Sequence, residues 1–196
     1  MSRQTWNETL AAYTASGTAI TNTATETILV PNVTIPGNYM ADGRALRIWA
    51  TGGWGTVVTA AKTLKFRFRW GGVAGIELAA TTAVALGTVA QGGGASRTAC
   101  WTLDAYIVCR SNGSTGTLFT GGNVTLNTSA VPTLQTVTDY GLVLPLASGA
   151  TGGTTPVVSA ACDLTADTAL SLTATWGTAD AANSIITHMF FVDAMN

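Results

Sequence analysis

Residue types that commonly perform catalysis are sparse in this sequence. A Ser-His-Asp or Cys-His site needs a histidine, and the 196 residues contain one, His188. It alternates with Ile186 and Phe190 along an apolar segment, which predicts a core or interface histidine. No phosphate-binding glycine loop and no Cys/His pair at zinc spacing is present in the sequence. We therefore predict no catalytic residue, no metal site, no cofactor and no enzymatic activity.

The sequence contains ten carboxylates, and a glycoside hydrolase needs two of them as acid and nucleophile. Most follow or precede turn residues, where an aspartate accepts hydrogen bonds from its own backbone and stays solvated. Asp163 and Asp167 could hold Ca²⁺ together with loop carbonyls, but no acidic calcium-loop pattern surrounds them. The sequence thus offers no acid and nucleophile pair for a polysaccharide-degrading enzyme.

Cysteine spacing indicates thiols without disulfides. Cys100 and Cys109 are nine residues apart on one predicted strand, so they point to opposite faces at a distance of about 30 Å. A disulfide requires a far smaller separation. We interpret these two residues and Cys162 as reduced thiols of a protein made in a reducing cytoplasm.

Three cations recur at every second residue in one segment, at Lys65, Arg67 and Arg69. They are three of the nine positive side chains of the protein. One interpretation is a solvated outer face, where neighbouring like charges discourage edge pairing. The other is a contact surface for an acidic partner, because arginine pairs carboxylates through two parallel hydrogen bonds.

Tryptophans are the other candidate contact residues. Trp54 lies between Gly53 and Gly55, where its ring could form a platform for a sugar or for a neighbouring subunit. Trp6 and Trp49 share this ambiguity, and burial in a core or interface is the alternative for each. The candidate partner contacts are therefore Lys65, Arg67, Arg69, Trp54 and Trp6.

Strict two-residue alternation predicts that strands position these side chains. In residues 63–70, Leu64, Phe66 and Phe68 share one face while the three cations share the other. Residues 99–110 and 170–176 alternate in the same way, and weaker strand signals cover 25–30, 44–51, 76–83, 116–126, 155–162 and 184–194. Helical spacing is suggested at residues 4–15, where Trp6, Leu10 and Tyr13 recur.

About nine strands joined by turn residues predict a sandwich or a barrel. Long connections, notably residues 128–154, favour an all-β, two-sheet, jelly-roll-like β-sandwich over a simple meander. Because strand signals begin only after Gly17, we predict an N-terminal arm or short helix at residues 1–17 and one sandwich domain at 18–196.

Composition excludes several classes of partner. Charged residues make up 10% of the chain against a usual quarter, while Thr, Ala and Gly number 35, 31 and 22. Two lysines and seven arginines with a net charge of −1 are too few for non-specific nucleic-acid binding. The sequence shows no membrane span and no secretory signal. A chain with so few charged residues is poorly protected against association, which favours a subunit in permanent contact with neighbouring subunits.

The chain as a whole resembles a group of tailed-bacteriophage virion proteins. The runs that carry the resemblance are GRALRI (43–48), LKFRFRWGG (64–72), WTLDA (101–105), CRSNG (109–113), TATWG (173–177), ANSI (182–185) and DAMN (193–196). The resemblance covers about residues 15–196 and implies a jelly-roll virion component, made in the bacterial host cytoplasm, that acts as a capsid decoration or cement protein.

Two function hypotheses follow. The first is a decoration protein that binds and stabilises the head shell through the major capsid protein, as a homotrimer at a local threefold axis. The alternative is a receptor- or glycan-binding knob of a tail or head fibre, with Trp54 and its glycine neighbours as the sugar platform. Neither hypothesis involves a nucleic acid or a membrane as partner.

Overall fold

Two antiparallel sheets form the described part of the chain, residues 7–56, 62–86, 97–127, 141–147 and 157–195 of a computed structural model. No helix occurs among these residues, and hence none that is long and apolar enough to cross a membrane. The fourteen strands of these ranges are β1 (Asn7–Tyr13), β2 (Ile20–Thr21), β3 (Thr27–Ile28), β4 (Val33–Ile35), β5 (Ala45–Thr56), β6 (Lys62–Trp70), β7 (Ile76–Ala80), β8 (Val84–Leu86), β9 (Arg97–Ser111), β10 (Thr117–Asn127), β11 (Gly141–Pro145), β12 (Val157–Val158), β13 (Thr168–Trp176) and β14 (Ser184–Met195).

The larger sheet has the strand order β1-β14-β5-β9-β10-β11, with β2 also pairing β14 and β12 also pairing β10. The smaller sheet has the order β3-β13-β6-β7, with β4 on β13 and β8 on β6. The chain changes sheets between β5 and β6 and returns between β8 and β9. It also crosses before β3, β5, β13 and β14, so the described strands do not form one meander.

The core lies between the sheets and is built from the alternating apolar residues of the longest strands. Leu64, Phe66 and Phe68 of β6 are fully buried, as are Trp101 and Ile107 of β9. The rings of Phe66 and Trp101, one from each sheet, are 5.3 Å apart between centroids. A two-sheet β-sandwich is therefore confirmed, and each of the nine predicted segments contains a strand.

The predicted helical spacing at residues 4–15 belongs to a strand. β1 pairs antiparallel with β14, and its register shifts between Thr9 and Ala11. This bulge lets both Leu10 and Tyr13 pack against the core, although an odd spacing on a regular strand would separate them. Residues 7–13 of the predicted arm thus form an edge strand of the larger sheet, while Trp6 lies outside the described residues.

Cys100 and Cys109 lie on opposite faces of β9, as their odd spacing predicts, with Cys100 exposed and Cys109 buried. Cys162 is buried as well. Burial raises the pKa of the thiols of both Cys109 and Cys162, which keeps them protonated and unreactive.

His188 does not lie in the core, which is one of the two positions predicted for it; the interface position stays a prediction. The register of β14 against β5 shifts between Thr187 and Met189, so a bulge at His188 turns its ring outward while Phe190 stays buried. The Nδ1 atom of His188 lies 2.8 Å from the hydroxyl of Ser16.

Candidate functional site

The cation row of β6 lies on the outer face of the smaller sheet, as predicted, but its arginines are engaged within the protein. Arg69 donates from Nε and Nη2 to the two carboxylate oxygens of Glu26, at 2.9 and 2.8 Å. Arg67 donates from Nε to Glu77 at 3.1 Å, and its Nη1 lies 3.2 Å from Glu26. The two guanidinium groups thus share two carboxylates.

Glu26 is the centre of this ion network. Its side chain is 16% exposed, and Thr173 donates a 2.7 Å hydrogen bond to its Oε1 atom. Burial alone would raise the pKa of Glu26. Hydrogen bonds from Arg69 and Thr173, with the charges of Arg67 and Arg69, outweigh that burial and hold the pKa below its ordinary value.

Lys65 is the remaining cation of the row and forms no ion pair within the described residues. Burial lowers its pKa, and the neighbouring charge of Arg67 lowers it further. An acidic partner would have to displace Glu26 and Glu77 from the arginines in order to use them. The network therefore favours a structural role for Arg67 and Arg69 over a contact with a partner.

Trp54 is not at the surface of the chain, since its side chain is 2% exposed. The reason is strand parity: on β5 the buried residues are Leu46, Ile48 and Ala50, and Trp54 continues this even-numbered set. Trp49 is five residues away, an odd offset, so its ring lies on the outer face of the larger sheet. The structure thus gives Trp49 the surface position that the sugar-platform hypothesis assigned to Trp54.

Trp49 stacks on Phe191 of the neighbouring strand β14. Their ring centroids are 4.9 Å apart with an interplanar angle of 15°, and the two residues are directly paired in the sheet. A surface depression of about 230 Å³ is lined by this pair together with Arg47 and Asp193. We call Trp49 and Phe191 the aromatic platform.

Polar side chains surround the aromatic platform. Arg47 donates from Nε and Nη2 to the two carboxylate oxygens of Asp104, at 3.2 and 3.1 Å, and its guanidinium lies 5.9 Å from the ring centroid of Tyr106. Asp193 accepts a 2.7 Å hydrogen bond from the Thr9 hydroxyl. Arg47 and Asp104 are each nearly half exposed, so both still face solvent. Hydrogen-bond donors and acceptors therefore lie beside the two rings, on the same strands or on the strand next to Trp49.

Metal-binding chemistry has no counterpart in the described residues, which contain no group of three or more His, Cys, Asp or Glu side chains able to hold an ion. Asp163 accepts hydrogen bonds from the backbone and hydroxyl of Thr165, and Asp167 accepts one from the backbone of Gly37. Both carboxylates stabilise turns.

Comparisons with known proteins do not identify a family for this chain. No protein-family model matches the chain, and no curated protein matches it. Among solved structures, it is similar to the CBM2 module of the evolved Dit protein of Lactobacillus casei BL23 phage J-1. The sequence identity is 11%, the match covers 84% of this chain and 68% of that chain, and the TM-score is 0.33. A likeness this distant carries no argument about function.

Sequence reasoning missed Phe191, Tyr106 and the polar neighbours of Trp49. A signal for Trp49 was present: Trp54 is an even number of residues from the apolar Leu46 and Ile48, whereas Trp49 is an odd number away and so lies on the opposite face. The partnership of Trp49 with Phe191 had no such signal, because it depends on which strands lie side by side.

Proposed function

We propose that this protein is a non-catalytic glycan-binding protein whose binding surface is the aromatic platform. The observation that carries the proposal is the stacked Trp49–Phe191 pair on the outer face of the larger sheet. The apolar face of a pyranose ring can stack on such rings, since its C–H groups meet the negative face of the π-system. Burying apolar area on both partners adds the hydrophobic contribution.

Stacking alone distinguishes poorly between sugars, and the polar side chains around the aromatic platform can add this selectivity. Arg47 offers N–H donors, whereas Asp104 and Asp193 offer carboxylate acceptors for hydroxyl groups. Hydrogen bonds to such charged groups are the stronger class, and an unmatched hydroxyl pattern leaves them unsatisfied. A few well-placed polar groups around an apolar surface are typical of small-ligand sites.

Charge at the platform favours neutral glycans. Arg47 balances Asp104, which leaves the charge of Asp193 as an excess of one negative charge. A glycan rich in carboxylates would be repelled there. Together with the resemblance to phage virion proteins, this supports recognition of a neutral host-surface polysaccharide by a tail or head fibre.

A binding panel tests the proposal. Neutral hexasaccharides of cellulose, chitin, mannan and laminarin, with purified bacterial cell-wall polysaccharides, are titrated against the wild-type protein, Trp49→Ala and Lys65→Ala. We expect binding to at least one glycan, with a loss of tenfold or more in Trp49→Ala. Lys65 lies on the opposite sheet, so Lys65→Ala should bind normally. Equal binding by Trp49→Ala, or no binding by the wild type, would refute the proposal.

We also propose a second function, shell decoration, at the β10 edge of the larger sheet, beside the aromatic platform. Val143 of β11 and Val158 of β12 lie at the β10 edge of the larger sheet and are 54% and 44% exposed, and Leu142 is 39% exposed. Val143 pairs with Thr125 and Val158 with Phe119, so these exposed apolar side chains lie along one sheet edge, a position that favours a protein contact. The expected partners are the major capsid protein and other copies of this chain in a homotrimer.

Light scattering and head reconstitution test the decoration proposal. We expect the wild-type protein to be trimeric at micromolar concentration and to raise the temperature at which undecorated heads release DNA. Val143→Asp should reduce both effects. A monomer that leaves the release temperature unchanged would count against it.

A further inference from the structure

A line of outward residues continues the aromatic platform across the larger sheet. Strand pairing aligns Phe191 with Trp49, Trp49 with Asp104, and Asp104 with Asn123, on β14, β5, β9 and β10. Adjacent strands are about 4.8 Å apart, so the four positions extend over roughly 14 Å. We call these four residues the cross-strand line.

The two sides of the cross-strand line are polar. One row along the strands, Thr51, Thr102 and Thr125 are aligned with one another on β5, β9 and β10. On the other side lie Arg47 and Tyr106, which are paired across β5 and β9. The Thr51 hydroxyl donates to the Trp101 carbonyl at 2.8 Å, so its lone pairs remain as acceptors. Hydroxyl groups and a guanidinium thus border the line.

The two ends of the cross-strand line differ in polarity. Beyond Phe191 the next strand contributes Ala12, which is exposed and offers no side-chain hydrogen bond. In the opposite direction, Asp104 and the exposed Asn123 offer both acceptors and donors. Because Phe191 stacks on one face of Trp49, the polar contacts open to a ligand on the aromatic platform lie on the other side, toward β9 and β10.

We infer that the ligand is an extended neutral oligosaccharide lying across β14, β5, β9 and β10, with a second subsite at Asn123 and Thr125. The inference rests on the proposed glycan-binding function. One pyranose unit of an extended chain is about as long as one strand spacing. The stacked unit therefore places later units over Asp104 and Asn123, where hydroxyls meet the amide and the threonine row.

Chain-length dependence tests the second subsite. The disaccharide, tetrasaccharide and hexasaccharide of a glycan bound in the panel are titrated by calorimetry against the wild type, Trp49→Ala, Asn123→Ala and Thr125→Val. We expect wild-type affinity to rise from disaccharide to tetrasaccharide. Asn123→Ala and Thr125→Val should each lower the affinity for the tetrasaccharide about fivefold, which is the contribution of one hydrogen bond. Neither variant should change the affinity for the disaccharide. Trp49→Ala should bind neither the disaccharide nor the tetrasaccharide.

Asn7→Ala is the matched control, because Asn7 is an exposed asparagine on β1 that pairs with Met195 and lies away from the line. It should bind every ligand normally. If Trp49→Ala loses binding while chain length and Asn123→Ala have no effect, the second subsite is refuted and the proposed function stands. If Trp49→Ala binds normally, the proposed function itself fails.

Discussion

At the scale of single residues, the ion network of the smaller sheet shows how a charged row can be structural. Glu26 is mostly buried, yet it accepts two hydrogen bonds from Arg69 and one from Thr173. Burial opposes the ionised carboxylate, and these contacts outweigh it. The network therefore stabilises the fold only while Glu26 is ionised.

Glu26→Gln should lower the free energy of unfolding at neutral pH by about 2 kcal/mol, because charge-assisted hydrogen bonds are lost in a mostly buried site. The folded-state pKa of Glu26 is below the ordinary value of 4.5. The stabilisation is thus complete above that value and disappears as the pH falls through the lower folded-state pKa. Melting temperatures measured from neutral pH to about pH 3 should converge for wild type and variant. A constant difference over this range would contradict the assignment.

At the scale of elements, the contact between β5 and β14 depends on one glycine of β5, Gly52. A Cβ atom at Gly52 would lie 1.9 Å from the carbonyl oxygen of Ile186, next to the bulge at His188. A Cβ atom at Gly53 would meet neighbours no closer than 3.6 Å, an ordinary contact distance. Close approach of the two backbones is therefore required at Gly52 and not at Gly53.

Gly52→Ala should lower the free energy of unfolding by at least about 2 kcal/mol, because the strand pairing must shift to accept the methyl group. Gly53→Ala is the neighbouring control and should leave that free energy unchanged or raise it by up to about 1 kcal/mol, through lower entropy of the unfolded chain. Urea denaturation of both variants measures the difference. Equal stability of the two variants would show that β5 and β14 are farther apart than described.

At the scale of the whole molecule, both sheets depend on one core. Phe66 of the smaller sheet and Trp101 of the larger sheet are completely buried against each other. Neither sheet can keep its inner face covered without the other. Unfolding should therefore be a single transition for the described sandwich.

Phe66→Ala should lower the free energy of unfolding by about 3–5 kcal/mol, the usual cost of removing a buried phenylalanine. Phe191→Ala is the matched control on the outer face, and it should cost about 1 kcal/mol through the lost stacking on Trp49. Tryptophan fluorescence and far-ultraviolet circular dichroism should report the same urea midpoint. Two separate midpoints would indicate sheets that unfold independently.

The sequence by itself predicted the sandwich class and nine segments that each contain a strand, because apolar residues at every second position are typical of a half-buried strand. It did not predict β1, where helical spacing was suggested, or the outward position of His188, since both depend on bulges. The same alternation along β5 distinguishes the buried Trp54 from the outward Trp49, although Trp54 was the residue predicted as the surface platform. Only the tertiary structure decided that Phe191 stacks on Trp49 and that Glu26 neutralises Arg69. These partners come from distant parts of the chain, and strand order, register and bulges follow from long-range packing that no local periodicity encodes.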